Sequence, residues 1–305
     1  MTQFPRRLVE IGEGEVRAGG TDLMERRRSG VASGAVVDLR DVPDLDTITA
    51  GRIGAKVRVA ALGRDAGIRA GWKGLAEAAA GLATPQIREI ATVGGNLCQR
   101  PRCWYFRDPA SQCLKKGGDV CMARTGDHLF HACFDTGACV AVHPSSLACA
   151  LLAYDAGVEV FRPPGLKPSR RSRPDIRAMA DFLGDGADPT KENTLEAGEV
   201  VSHVILPIAV AGEKSTYFRA IHRARAEWPL AEVVVRLGSA GSRVVIGGVA
   251  NVPMRMRSVE AGLDAGESWE KAAARAKDGA RPLPMTYYKL DITVGAILCA
   301  LEAAS

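Results

Sequence analysis

The sequence predicts an α+β protein of two domains, and three observations carry that prediction. Strand-like runs are short, separated by glycine turns, and show no regular βαβ alternation. A stretch of about 40 residues holds most of the cysteines without helical or strand period, which in a compact domain marks a functional or disordered insertion. Near Ile208 to Lys214 the rhythm changes, and strands followed by helices begin again. A chain of 305 residues, 47% apolar and 25% charged, is large enough for two ordinary cores.

In order, Val16 to Met24 (VRAGGTDLM) reads as an apolar approach, a Gly19-Gly20 turn and a helix start capped by Thr21 or Asp22. Such a turn exposes N–H groups that suit an anion, although a plain strand-turn-helix corner has the same sequence. Ala35 to Leu39 is a short buried strand, and Gly51 to Ala61 alternates as a strand with a turn at Ile53-Gly54-Ala55. Ala76 to Ile90 predicts two helical pieces, with Pro85 near the start of the second. Ala91 to Leu97 (ATVGGNL) is a second glycine loop, in which Thr92, Gly94, Gly95 and Asn96 offer N–H groups and small polar side chains. Two such loops about 75 residues apart suit the two sides of a dinucleotide pyrophosphate; neither is the GxGxxG that opens a Rossmann unit.

Ser146 to Val160 predicts an amphipathic helix running into a strand, with Cys149 a buried hydrophobe. Phe161 to Asp175, rich in Pro and Arg, reads as an exposed loop, and Val200 to Pro207 as a strand. Beyond the boundary come a strand at Thr216 to Ile221, an apolar segment at Leu230 to Leu237 and a strand at Arg243 to Ile246. Helices follow at Ser258 to Leu263, Ser268 to Lys277 and Thr286 to Ala303, with Cys299 expected in the core. This second domain has no constellation of catalytic groups and no HExxH zinc motif.

The net charge is +5, and the arginine clusters at 26–28 and 169–173 are short, so they read as solvated faces rather than a nucleic-acid surface. No apolar run approaches the ~18 residues of a membrane span and the N-terminus lacks a signal-like apolar stretch, so a reducing cytoplasm is the expected location. Eight cysteines in that setting point to metal or redox chemistry before disulfides.

Six of them, Cys98, Cys103, Cys113, Cys121, Cys133 and Cys139, are separated by four, nine, seven, eleven and five residues. Structural zinc sites bring tight CxxC-like pairs, and bacterial ferredoxins two-residue gaps; neither is present. Wide gaps between turns fit an iron-sulfur cluster wrapped by a long loop, with Arg100, Arg102, Lys115 and Lys116 available to offset its charge. Cys98 lies inside the glycine loop and is set aside first. Spacing does not decide between Cys133 and Cys139.

These residues resemble the FAD-binding medium subunit of xanthine oxidase-type molybdenum hydroxylases along essentially the whole chain. RAGGTDLM resembles that family's first pyrophosphate loop, and IREIATVGGNL its most specific segment. HPSSLACALLAYDAGVEV, LEAGEVVSHVILP and GGVANVPMR follow in the family's order. The cysteine insertion narrows the resemblance to members with one 4Fe-4S cluster, the medium subunits of 4-hydroxybenzoyl-CoA reductase and of some bacterial aldehyde oxidoreductases.

The resemblance implies a vanillyl-alcohol-oxidase (PCMH)-type FAD-binding domain over 1–207, a cluster insertion over 98–142, and a small α+β C-terminal domain of the CO dehydrogenase flavoprotein type over 212–305. It implies FAD on Ala18, Gly19, Gly20, Thr21, Asp22 and Leu23 with Thr92, Gly94, Gly95 and Asn96. It places the cluster on Cys103, Cys113, Cys121 and Cys139, leaving Cys133 a spare thiol. The family's S-D pair is Ser145-Ser146 here, and its F-x-K basic residue is not evident within Phe218 to Arg225, where His222 could stand in.

The implied role is electron transfer within a heterotrimer or its dimer. Substrate oxidation would lie in a large subunit carrying the molybdenum cofactor, 2Fe-2S clusters in a small subunit, and the acceptor would be NAD, oxygen, a quinone or ferredoxin. A stand-alone flavin oxidase and a non-enzymatic iron-sulfur module are the alternatives.

Overall fold

The computed structural model describes residues 1–163 and 175–305. The expected Pro/Arg-rich loop and the arginine cluster at 169–173 fall largely or wholly outside these residues. Three sheets organise the rest. The first is parallel, β1 (Thr2–Gln3), β3 (Val36–Asp38) and β2 (Glu15–Arg17), with β3 central. The second is antiparallel, in the order β4 (Ile48–Thr49), β5 (Arg52–Gly54), β8 (Val200–Ile205), β6 (Gly157–Phe161) and β7 (Asp175–Ala178). The third is an antiparallel meander of β9 (Lys214–Ala220), β10 (Ala231–Leu237), β11 (Arg243–Gly247) and β12 (Met254–Arg255).

β3 and β8 are buried almost throughout, carrying the polar Asp38, Ser202 and His203 inside, whereas β6 alternates half-buried and buried residues. The helices Lys73–Gly81 and Ser146–Ala153 pack on each other and share one core with the second sheet, and the latter is buried on nearly every side. It is therefore a central helix rather than the amphipathic one expected. Its polar face is missing because Val245 and Val234 from the meander close over it. The C-terminal helix Tyr288–Ala304 covers the other face of the meander.

Two expected elements differ. The alternation after Gly51 ends at Gly54, and Val59–Arg64 is helical. The segment Ala91 to Leu97 is not an open loop: Thr92 Oγ1 accepts the Gly95 N–H at 3.2 Å and caps a short helix, Val93–Leu97. Pro85 does open its helix, Pro85–Arg88, with Thr84 as its cap. Cys149 is fully buried as expected, but Cys299 is exposed on the last helix.

Candidate functional site: two glycine loops and a four-cysteine cleft

The two glycine loops meet. A Cβ on Gly19 would sit 2.0 Å from the carbonyl oxygen of Ile90, so only glycine lets the first loop press against the segment leading into the second. Gly20 has φ +74°, the left-handed conformation that turns the chain into the helix Leu23–Arg28. Gly94 is equally crowded, with its would-be Cβ 2.8 Å from that of Ala55. Ala18 on one loop and Gly94 and Gly95 on the other line a cavity of about 330 Å3, closed on its far side by Glu192, Leu195 and Val200.

The loops offer different things to a ligand. Among the described residues the N–H groups of Gly19, Gly20, Thr21 and Asp22 have no acceptor within the protein. Those of Val93, Gly94 and Asn96 donate to Val57, Ala55 and Thr92 carbonyls, and Gly95 to the Thr92 hydroxyl. The first loop thus leaves its N–H groups available to a ligand, whereas the second is a tightly bonded wall. Asn96 is buried and accepts from Ser145 Oγ at 2.6 Å, and the same Oγ caps the helix Ser146–Ala153.

Asp22 makes no capping bond to its helix. Its carboxylate instead accepts from Arg26 Nε at 2.9 Å, Arg107 Nη2 at 2.6 Å, the Arg100 N–H at 3.1 Å and Arg102 Nη1. Arg26, from the cluster expected to be solvated, is 7% exposed between Asp22 and Glu15. Four of the insertion's basic residues pair with carboxylates outside it, whereas Arg124 pairs with Asp135 inside it. Arg100 and Lys115 both meet buried Glu192, at 2.9 and 2.6 Å, and Arg102 and Arg107 reach Glu25. They anchor the insertion before they balance any charge within it.

Cys103, Cys113, Cys121 and Cys139 line one narrow cleft of about 10 Å3 with Tyr105, Phe106 and Lys115. Cys139 donates to Cys121 across it, which lowers the Cys121 thiol and raises that of Cys139. Burial pushes Cys103 up to about 11, against the N–H groups of Phe106 and Tyr105. No group of three or more His, Cys, Asp or Glu among the described residues converges on a point that could hold a single ion. A cluster differs from an ion in being held by ligands arrayed around it, and a buried all-thiol donor set with backbone N–H groups turned to the sulfurs suits iron-sulfur chemistry. Cys133 is remote from the cleft, fully buried with Phe134 in the core of the meander. Cys98 ends the second glycine helix and lines the loop cavity, where burial holds its thiol up at about 12.

A second cavity of about 330 Å3 lies between the insertion and the meander. Trp104, Phe130 and Trp228 wall it, and His131, His143 and His222 line it with Cys103. Burial lowers His131 and His143 to about 4, so both imidazoles are neutral. Behind it Glu232 is fully buried, held by Tyr217 at 2.6 Å and by Ser146, and burial raises its pKa. The Ser146 position, where a carboxylate was looked for, therefore meets one from β10. Ala220 stands where the F-x-K basic residue would fall, and the neighbouring Arg219 donates to the Gly81 and Glu227 carbonyls. His131 and Arg107 were passed over, since a lone His or Arg in a loop gives no periodic signal.

Paired glycine loops facing one cavity on a mixed α/β chain define a dinucleotide-binding protein outside the Rossmann class. The family described as the FAD binding domain in molybdopterin dehydrogenase matches residues 8–209. The aldehyde oxidoreductase FAD-binding subunit PaoB of Escherichia coli (strain K12) is 34% identical over 261 residues, 82% of this chain and 79% of that one. In fold, the chain resembles a chain of CO dehydrogenase from Oligotropha carboxidovorans (TM-score 0.72, 20% identity, 99% of this chain and 96% of that one). It also resembles a chain of quinoline 2-oxidoreductase from Pseudomonas putida 86 (TM-score 0.67, 18% identity, 99% and 97%). The chain belongs to the FAD-binding subunits of the molybdenum hydroxylases, and is an oxidoreductase subunit with the expected vanillyl-alcohol-oxidase-type fold. No described helix is long and apolar enough to cross a membrane.

Proposed function

We propose that this chain is the electron-transfer subunit of a molybdenum hydroxylase complex, carrying FAD between its glycine loops and a 4Fe-4S cluster on Cys103, Cys113, Cys121 and Cys139. The single observation that carries the cluster reading is the convergence of those four thiols on one buried cleft while Cys98, Cys133 and Cys149 lie elsewhere. When bound, the two groups supply electron exchange between 2Fe-2S clusters of a small subunit and an external acceptor, with substrate oxidised in a large molybdenum subunit.

The protein's own part is positioning. Gly19, Gly20, Thr21 and Asp22 present free N–H groups to the pyrophosphate, with Ala18 and Leu23 shaping the turn. Thr92, Gly94, Gly95 and Asn96 close the opposite wall, fixed by internal hydrogen bonds. The ion pairs from Asp22, Glu25 and Glu192 hold the insertion against the flavin domain. We divide the chain at 207–212, where β8 ends and the meander begins, and assign 98–142 to the insertion.

The test is anaerobic purification of the chain co-expressed with the genes that neighbour its own, followed by visible absorption, flavin and iron assays. About one FAD and four irons per chain support the reading; zinc without flavin refutes it.

A further inference from the structure

His131 stands between the cysteine cleft and the aromatic cavity, and its ring is 3% exposed. Nε2 lies 3.2 Å from the sulfur of Cys103, whereas Nδ1 has no partner. A cysteine that ligates a metal does so as a thiolate, which has no proton to give, so in the loaded site this contact is made by Nε2–H donating to Sγ. Among the described residues no other of the four cleft cysteines receives a side-chain N–H.

The ring is held in that pose from several sides. Trp104 meets it edge-on, with centroids 5.2 Å apart and planes at 83°. Its own N–H donates to the His128 carbonyl at 3.0 Å, and its carbonyl accepts from buried Lys289 at 3.0 Å. The next residue, Ala132, donates to Val140 at 2.9 Å, which ties the His131 segment to the strand of chain that follows Cys139. His128 in turn bridges Ala123 and Met285 through its two ring nitrogens. The donor is thus fixed by packing rather than free to turn to water.

We propose that His131 is a positioning residue that donates Nε2–H to the Cys103 sulfur and holds the reduction potential of a cluster bound there above the value it would have without that donor. The proposal rests on the 4Fe-4S reading given above. Reduction adds negative charge to the cluster and its ligand sulfurs, and an N–H dipole aimed at one of them stabilises the more negative state. Removing the donor leaves the oxidised state relatively favoured. A tenfold shift in the reduced-to-oxidised ratio is the expected size, which for one electron is about 59 mV to lower potential.

The experiment is an EPR-monitored redox titration of the co-purified complex, mediated and reduced chemically, beside an iron assay. His131→Phe keeps ring volume and the contact with Trp104 but has no donor; His131→Gln returns an N–H. Wild type and both variants are expected to keep about four irons per chain, with H131F shifted down about tenfold in ratio and H131Q lying between. Wild-type complex without iron overturns the cluster reading and takes this inference with it. Iron retained in H131F at an unchanged potential overturns the inference alone. Should H131F not assemble, wild-type complex carrying 15N-labelled histidine decides by pulsed EPR: a histidine-nitrogen coupling to the reduced cluster supports the donor, and its absence overturns it.

Discussion

Asp22 is the joint between the first glycine loop and the cysteine insertion, and its removal can be worked out from the partners it leaves behind. Its carboxylate is 8% exposed and accepts from three guanidinium groups and one backbone N–H. A charge-assisted hydrogen bond contributes about 1.5–3 kcal/mol, and stripping one partner from a buried ion set costs about 3–5 kcal/mol. D22A does not leave bare charges, because Arg26 keeps Glu15, and Arg107 keeps Glu25. Arg102 keeps a longer pairing to Glu25, at 3.8 Å, a hydrogen bond to Gln99 Oε1 at 3.4 Å and its stacking over Trp228 at 4.8 Å. The fallback partners place the expected loss below the simple sum, at about 2–4 kcal/mol. Denaturant unfolding of wild type, D22A, R107A and the double variant isolates one arm of the joint. A coupling of about 1–2 kcal/mol between the two sites is expected, since they share a direct bond. A coupling under about 0.5 kcal/mol, with D22A near wild type, would falsify the claim that Asp22 anchors the insertion.

Gly19→Ala drives a methyl group into the Ile90 carbonyl, so it is expected to cost at least about 1–3 kcal/mol and to lower flavin per chain, read by melting temperature and absorbance. Cys113→Ser is expected to abolish the cluster signal while Cys133→Ser leaves iron content unchanged; equal iron loss in both variants would count against the ligand set. Cys113→Ser with full activity retained would instead make the cluster a structural staple. Glu232 carries a raised pKa from burial, so its protonated form is favoured by folding. That stability is fully present below the ordinary value of 4.5 and declines as pH rises through the folded value. E232Q should flatten this slope in melting temperature measured from about pH 4.5 upward, and an unaltered slope would show that another group sets it.

Much of this was readable in the chain. Gly19-Gly20 and Gly94-Gly95 gave the loops because glycine alone tolerates the positive φ of Gly20, the Ile90 carbonyl against Gly19 and the Ala55 methyl against Gly94. Burial of Cys149 followed from its apolar helix. What failed depended on tertiary partners. The second loop became a helix because Thr92 caps it and β5 and its following turn absorb its N–H groups. Asp22 had the local chemistry of a cap and was claimed instead by arginines some 80 residues away, a distance no local pattern reports. Cys299 followed the apolar period of its helix, but its neighbour is solvent.

Lys289 carries a consequence for how the protein is made. Its ammonium group binds the carbonyls of Phe130, His131 and Gly248, and it belongs to the helix that ends the chain. During synthesis the cysteine segment leaves the ribosome more than 140 residues before that anchor does. The stretch bearing His131 therefore lacks this support until the helix Tyr288–Ala304 has been made and has docked.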